Sequence, residues 1–205
     1  MNDMSERKIN LFVARGIAKE PTAQKDVAPR HRAVILFAYG GIMNKVLVAG
    51  RGIRAEALGV AKLPDRKISF HGYTSVWDGA EETAVEAPGH DLYGVLYKLG
   101  GMEAERLEAA HGVRLNGTGT YYHFPVQVTT MEGETVSAVM FQKAMLRDWR
   151  PPSTEYLQAI VEGARSHGLP ESYIAELQQT RTVPAGYPVP LWAAGGPHAP
   201  EPCDC

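Results

Sequence analysis

The chain has 205 residues, 44% hydrophobic and 21% charged, with a formal charge of −2. This is an ordinary globular composition, long enough for one buried core. It lacks the basic stripe of a nucleic-acid binder and the polybasic block of a membrane-surface protein.

The only cysteines, Cys203 and Cys205, stand two apart at the end of the chain. They are too close together to form a sound disulfide with each other. The body therefore has no disulfide framework, which fits a reducing cytoplasm. Two soft ligands on a proline-rich end make an incomplete metal site, and "CDC" reads as an incidental tail.

Residues 1–32 read as an extension. "MNDMSERKINLFVARG" has no long apolar segment and carries acids, unlike a secretory leader. No stretch approaches the ~20 apolar residues of a membrane span. Ile9, Leu11 and Val13 alternate, as in an edge strand, and "KEPTAQKDVAPRHR" reads as a linker.

The core begins with "AVILFAYGGIMNK", in which a charge-free run from Ala33 to Tyr39 ends on two glycines. A buried strand has no need of glycine there, so another group must approach the chain closely at Gly40 and Gly41. "AEALGVAKL" and "RKISFHGY" flank the turn signal "PDR" and read as a hairpin. "HDLYGVLYKL" alternates as a strand. "TYYHFPVQVTT" and "TVSAVMFQKA" flank "MEGE" and form a second hairpin.

Helices follow a different period. "GMEAERLEAAHG" places Met102, Leu107 and Ala110 on one face and stops at Gly112. "PPSTEYLQAIVEGARSHG" has Ser153 as N-cap and an apolar stripe of Tyr156, Leu157, Ile160, Val161 and Ala164. "LPESYIAELQQ" turns Tyr173, Ile174 and Leu177 inward. Residues 183–205 are a proline-rich arm or tail, with Trp192 as one anchor. The fold class is α+β: a small mixed β-barrel of about six strands flanked by three helices, occupying residues 33–182.

Three separated motifs resemble the γ-glutamylcyclotransferase-like (AIG2-like) family. "LFAYGGIMN" is similar to that family's opening strand and loop, usually Phe-Ala-Tyr-Gly-Ser-Asn-Leu. "PGHDLYGVLYKL" with "LEAAHGV" is similar to its Val-Trp-Gly-Val-Leu strand and the Leu-Asp-x-x-Glu-Gly end of the following helix. "PPSTEYLQAIVEGARSHGLPESYIAEL" is similar to the C-terminal helix pair of the γ-glutamylcyclotransferases themselves. The resemblance spans roughly residues 33–180. It implies a cofactor-free enzyme acting on a small γ-glutamyl or related acyl amide. The substrate's own α-amine attacks its γ-carbonyl, giving 5-oxoproline and a free amine.

By that resemblance, the backbone of Tyr39, Gly40, Gly41 and Ile42 holds the substrate carboxylate and the polarised carbonyl. Amides of such a turn form an anion-binding nest; the bland alternative is a tight turn. Tyr121 and Tyr156 match pocket-lining positions, with core packing as the alternative. His111 falls where the family's catalytic glutamate stands. An imidazole can also exchange protons near neutral pH, and a helix C-terminus favours its charged form. Glu108, three residues earlier, is placed to orient it or to act as the base itself. Their Glu-x-x-His spacing lacks the further ligands a metal site needs. Glu81, Glu82 and Glu86 read as a solvated edge.

Several readings stay open at this point. The pocket can run hydrolysis, acyl transfer or decarboxylation with His111 as acid and base, or bind a small molecule without catalysis. The N-terminal strand and the proline-rich arm can also serve homodimerisation. Neither nucleic acid nor a membrane is expected as a partner.

Overall fold

A computed structural model describes residues 33–190, apart from 115 and 117. The expected N-terminal edge strand, Trp192 and the two cysteines lie outside the described residues.

Five strands close into a barrel in the order β1-β3-β2-β4-β5. They are β1 (Val34–Ala38), β2 (Glu56–Thr74), β3 (Gly79–Leu99), β4 (Tyr121–Thr130) and β5 (Thr135–Lys143). Most neighbours are antiparallel. The closing pair, β1 with β5, is parallel through Leu36 and Val139. The sheet is therefore mixed, as expected, with five strands among the described residues rather than about six.

The count differs because "PDR" is not a turn. The runs on either side of it belong to one 19-residue strand, β2. Asp65 adopts φ 57° at a register shift between Pro64 and Arg66. Its carboxylate accepts from Gly89 N–H at 2.8 Å, in the facing strand. The turn residues thus make paired irregularities that bend a long two-stranded ribbon. The chain reverses at 75–78 instead, where Trp77 is buried. Both strands of a barrel wall must curve, and local turn chemistry serves that bend as readily as a reversal.

Helix α1 (Lys45–Gly50) follows a single 3-10 turn at Gly41–Met43. The Asn44 side chain caps α1 by accepting from Val46 and Leu47 N–H. It also donates to the Ala159 carbonyl at 2.9 Å. Helix α2 (Gly101–Ala110) buries Ala104 and Leu107. Met102, expected on its packed face, is 61% exposed, and Ala110 is exposed as well.

Helices α3 (Thr154–Ser166) and α4 (Glu171–Gln178) bury the residues their periodicity assigns. Ser153 caps α3 through Tyr156 N–H, and Gly168 leaves it at φ 71°. Barrel and helices meet on Phe37, Leu36, Met43, Met140 and Ile160, all sealed from solvent.

Beyond α4, Val183 exchanges backbone hydrogen bonds with Pro152 and Thr154. Gly186 N–H donates to Asp78 at 2.7 Å. The start of the C-terminal arm is thereby pinned from the N-terminus of α3 to the β2–β3 turn. Among the described residues no helix is long and apolar enough to cross a membrane.

Candidate active site

The two glycines after β1 are explained by what lies against them. A Cβ on Gly40 would fall 1.9 Å from a Glu82 carboxylate oxygen, and one on Gly41 would fall 2.9 Å from the Tyr156 ring. The missing side chains therefore admit a carboxylate and a phenol from two other elements. Gly41 N–H donates to Glu82 Oε1 at 3.0 Å, and the Tyr156 hydroxyl donates to Glu82 Oε2. The Tyr121 hydroxyl donates to the Glu82 carbonyl at 2.8 Å.

Glu82 is not a solvated edge residue. It is 7% exposed, between the inward-facing Ala80 and Ala84 of β3. Strand side chains alternate, so Glu82 shares their face. That parity was the sequence signal for its burial, hidden because three acids in one short run suggest a wet face. A buried carboxylate is tolerated only when donors surround it, and here it has a backbone amide and a phenol.

In front of this assembly lies a cavity of about 1080 Å³, walled by Gly41, Arg51, Trp77, Glu81, His111 and Tyr156, among others. Ile42 also borders it, whereas Tyr39 and Gly40 do not. Tyr39 points into the core and anchors the loop through its hydroxyl, which donates to the Phe141 carbonyl. Tyr156 combines its two readings: it belongs to the core stripe of α3, stacks on Trp77 with centroids 4.4 Å apart, and faces the cavity. Tyr121 is buried behind the wall, as a strut for β3. Burial beside Glu81 and Glu82 pushes both phenols well up, so they remain donors.

His111 does face the cavity, but not as a charged helix-end group. Its Nδ1 lies 2.8 Å from the Leu107 carbonyl and its Nε2 lies 3.2 Å from Arg51 Nη1. A carbonyl only accepts and a guanidinium only donates. The partners therefore assign the proton to Nδ1 and the lone pair to Nε2. Burial, then the nearby Arg51 cation, push the imidazole down to about 3. Desolvation and a neighbouring cation outweigh the helix dipole, whose contribution is only ~0.3–1 kcal/mol at ordinary sites.

Glu108 does not orient His111. Its Oε1 lies 3.1 Å from His123 Nε2, across to β4. A three-residue spacing near a helix end brought the two close in sequence, but their side chains diverge to different partners.

Sequence reasoning also missed Arg51 and Glu81. Arg51 follows α1 directly, and no local motif singles it out. Burial lowers its pKa, against the pull of Tyr156, Glu81 and Glu82; a guanidinium stays charged nonetheless. Glu81 points the opposite way from Glu82, onto the cavity. Its Oε2 lies 3.5 Å from Lys143 Nζ, a side chain itself only 8% exposed. The cavity thus holds two guanidiniums, those of Arg51 and Arg106, with a carboxyl, a neutral imidazole and an aromatic floor.

Comparison with known proteins bears on this arrangement. The sequence profile of the AIG2-like family matches residues 91–177. The chain is 31% identical over 159 residues to the γ-glutamylcyclotransferase of Homo sapiens, covering 75% of this chain and 82% of that one. It is 32% identical over 147 residues to the γ-glutamylcyclotransferase of Bos taurus, covering 70% and 76%. A solved γ-glutamyl cyclotransferase superposes with a TM-score of 0.70 at 26% identity, over 77% of this chain and 94% of that one.

Proposed function

As the chain belongs to the AIG2-like, γ-glutamylcyclotransferase-like family, we propose that it is an enzyme of this family acting on a small γ-glutamyl or related acyl amide. The α-amine attacks the γ-carbonyl within the same molecule, releasing a five-membered lactam and a free amine. The observation that carries this reading is the pairing of opposite charges in one cavity. Arg51 and Glu81 both face it, beside the turn at Gly41–Ile42. Such a pair suits the carboxylate and amine of an amino-acid headgroup.

Each wall has a part in this chemistry. Arg51 holds the substrate carboxylate. The start of the 3-10 turn points amide N–H groups outward. Gly41 N–H is engaged by Glu82, which leaves the next amide, that of Ile42, to face the carbonyl oxygen as it gains negative charge. Trp77 and Tyr156 close the apolar side. Intramolecular attack needs little beyond this, because the nucleophile is already held beside the carbonyl. His111 fits the role of a prop for Arg51, since its only lone pair is turned to the guanidinium.

The test is 5-oxoproline release by the full chain from a panel of γ-glutamyl amino acids and γ-glutamyl amines. The expected result is one 5-oxoproline per free amine. Saturable binding of these compounds without release favours the second reading, a binding protein, for which the uncharged imidazole at the helix end speaks.

A further inference from the structure

Resting on that reading of the cavity, we infer that Glu81 is the catalytic residue that carries the proton between the attacking and the leaving nitrogen, so that the acid–base group stands on strand β3 and not at the end of α2.

Three groups near the loop are candidates for this transfer. His111 has its Nδ1 proton committed to the Leu107 carbonyl and its Nε2 lone pair facing Arg51. It offers an incoming amine neither a free acceptor nor useful basicity. Glu82 accepts from Gly41 N–H with one oxygen and from the Tyr156 hydroxyl with the other, and it lies behind the loop, outside the cavity wall. It holds the loop in shape and is a positioning residue. Glu81 alone presents a carboxyl to the cavity among the described residues that line it. Its side chain keeps 23% exposure, and its ion pair with Lys143 is a loose 3.5 Å.

Position supports the same assignment. A second cavity of about 730 Å³ adjoins the first and shares Glu81 and Thr120 with it. Lys143, Arg147 and Arg150 line this neighbour. An amide lying across the junction has its acyl half beside Gly41 and Arg51 and its leaving half beside Lys143. Glu81 then stands next to the bond that changes.

The step balances without a co-reactant. The neutral α-amine attacks with its lone pair and forms the new C–N bond, while the carbonyl π pair moves to oxygen. The Glu81 carboxylate takes one proton from the attacking nitrogen. On collapse the oxygen pair re-forms the carbonyl, the old C–N bond breaks with its pair on the leaving nitrogen, and Glu81 returns the proton there.

Burial raises the Glu81 carboxyl above the ordinary carboxylate range, Glu82 adds to this, and Lys143 and Arg51 oppose it. The ionisable groups around it are Lys143 of β5, Tyr121 of β4, His71 opposite on β2, Glu82 on its own strand, Tyr156 of α3, Arg51, Arg106 and His111 along the first cavity, and Tyr73, Arg147, Asp148 and Arg150 along the second. A base must be ionised. Activity therefore falls as pH drops through this raised value, and this acidic limb, which lies below the one set near ~8 by protonation of the substrate α-amine, belongs to Glu81.

The experiment compares wild type, E81Q and H111Q in 5-oxoproline release as a function of pH, with calorimetric binding of 5-oxoproline to each variant as the control for an intact cavity. E81Q is expected to lower kcat by ~10²-fold or more and to raise KM, since the charge facing the substrate amine is lost, with binding of 5-oxoproline, which has no amine, close to wild type. H111Q is expected to raise KM and to keep the acidic limb. An E81Q kcat within threefold of wild type, or an acidic limb that H111Q abolishes, overturns the assignment alone. A wild type that releases 5-oxoproline from none of the substrates overturns the reading of the cavity, and the assignment with it.

Discussion

The two walls of the cavity reach the same place by opposite electrostatic routes. On β3, Glu81 and Glu82 are adjacent carboxylates that the strand's alternation sends to different sides. Glu82 is locked under the loop by two donors, and Glu81 faces the cavity with a loose cation. At the end of α2, His111 is neutral, half-buried and turned to Arg51. A group's proton-transfer capacity here follows from the partners it already has. An ionisable residue at the expected place is made inert by its neighbours, and one on an unpromising strand is left available.

The contrast can be broken most forcefully at the loop. Gly40→Ala puts a Cβ where the Glu82 carboxylate lies. It is expected to lower stability in urea by roughly 3 kcal/mol or more, through overpacking and loss of the buried bonds. Stability close to wild type would mean that Glu82 can leave its seat freely.

Tyr156→Phe is the next test. It removes one donor and leaves Glu82 Oε2 without that partner. A loss of about 1–3 kcal/mol is expected, with the Trp77 stack preserved. A neutral result would show that the phenol contributes packing alone.

The other wall is read by pH. His111 is pushed down to about 3 in the folded chain, whereas an unfolded imidazole titrates near ~6.5. Below that value the unfolded chain binds a proton that the folded chain refuses. The contribution is therefore fully present above ~6.5 and is lost as pH falls from there toward 3. Thermal unfolding of H111Q should lose roughly 2 kcal/mol less than wild type between pH 6.5 and 4.5; parallel curves would contradict a neutral His111.

Glu81 has the smallest effect and the opposite sign. Its raised folded value means that the folded chain holds its proton longer than the unfolded chain. Stability thus falls as pH rises from the ordinary carboxylate range through the raised value. E81Q is expected to unfold at a slightly higher temperature than wild type at neutral pH. A lower temperature would mean that the Lys143 pair outweighs burial.

Much of the scaffold was legible because it rests on local rules. Ser153 and Gly168 bound α3, and its five apolar positions are all buried, since a 3.6-residue period has one way to face a core. The bend at Asp65 was not legible as a bend, because the same residues that reverse a chain can also kink a long strand. Glu82 carries conflicting signals: composition argues for water, and strand parity with Ala80 and Ala84 argues for the interior. Arg51 carried no signal, since its partner His111 is 60 residues away.

The barrel-and-helix class, the C-terminal helix pair and the need for a close approach at Gly40 and Gly41 are all written in local sequence. Periodicity, caps and missing side chains are properties of neighbouring residues, and they survive without coordinates. Only the tertiary structure decided what makes that approach, which acid is buried and which faces the cavity, and that His111 is neutral. Those outcomes depend on desolvation and on partners from distant segments, and neither exists until the barrel has closed.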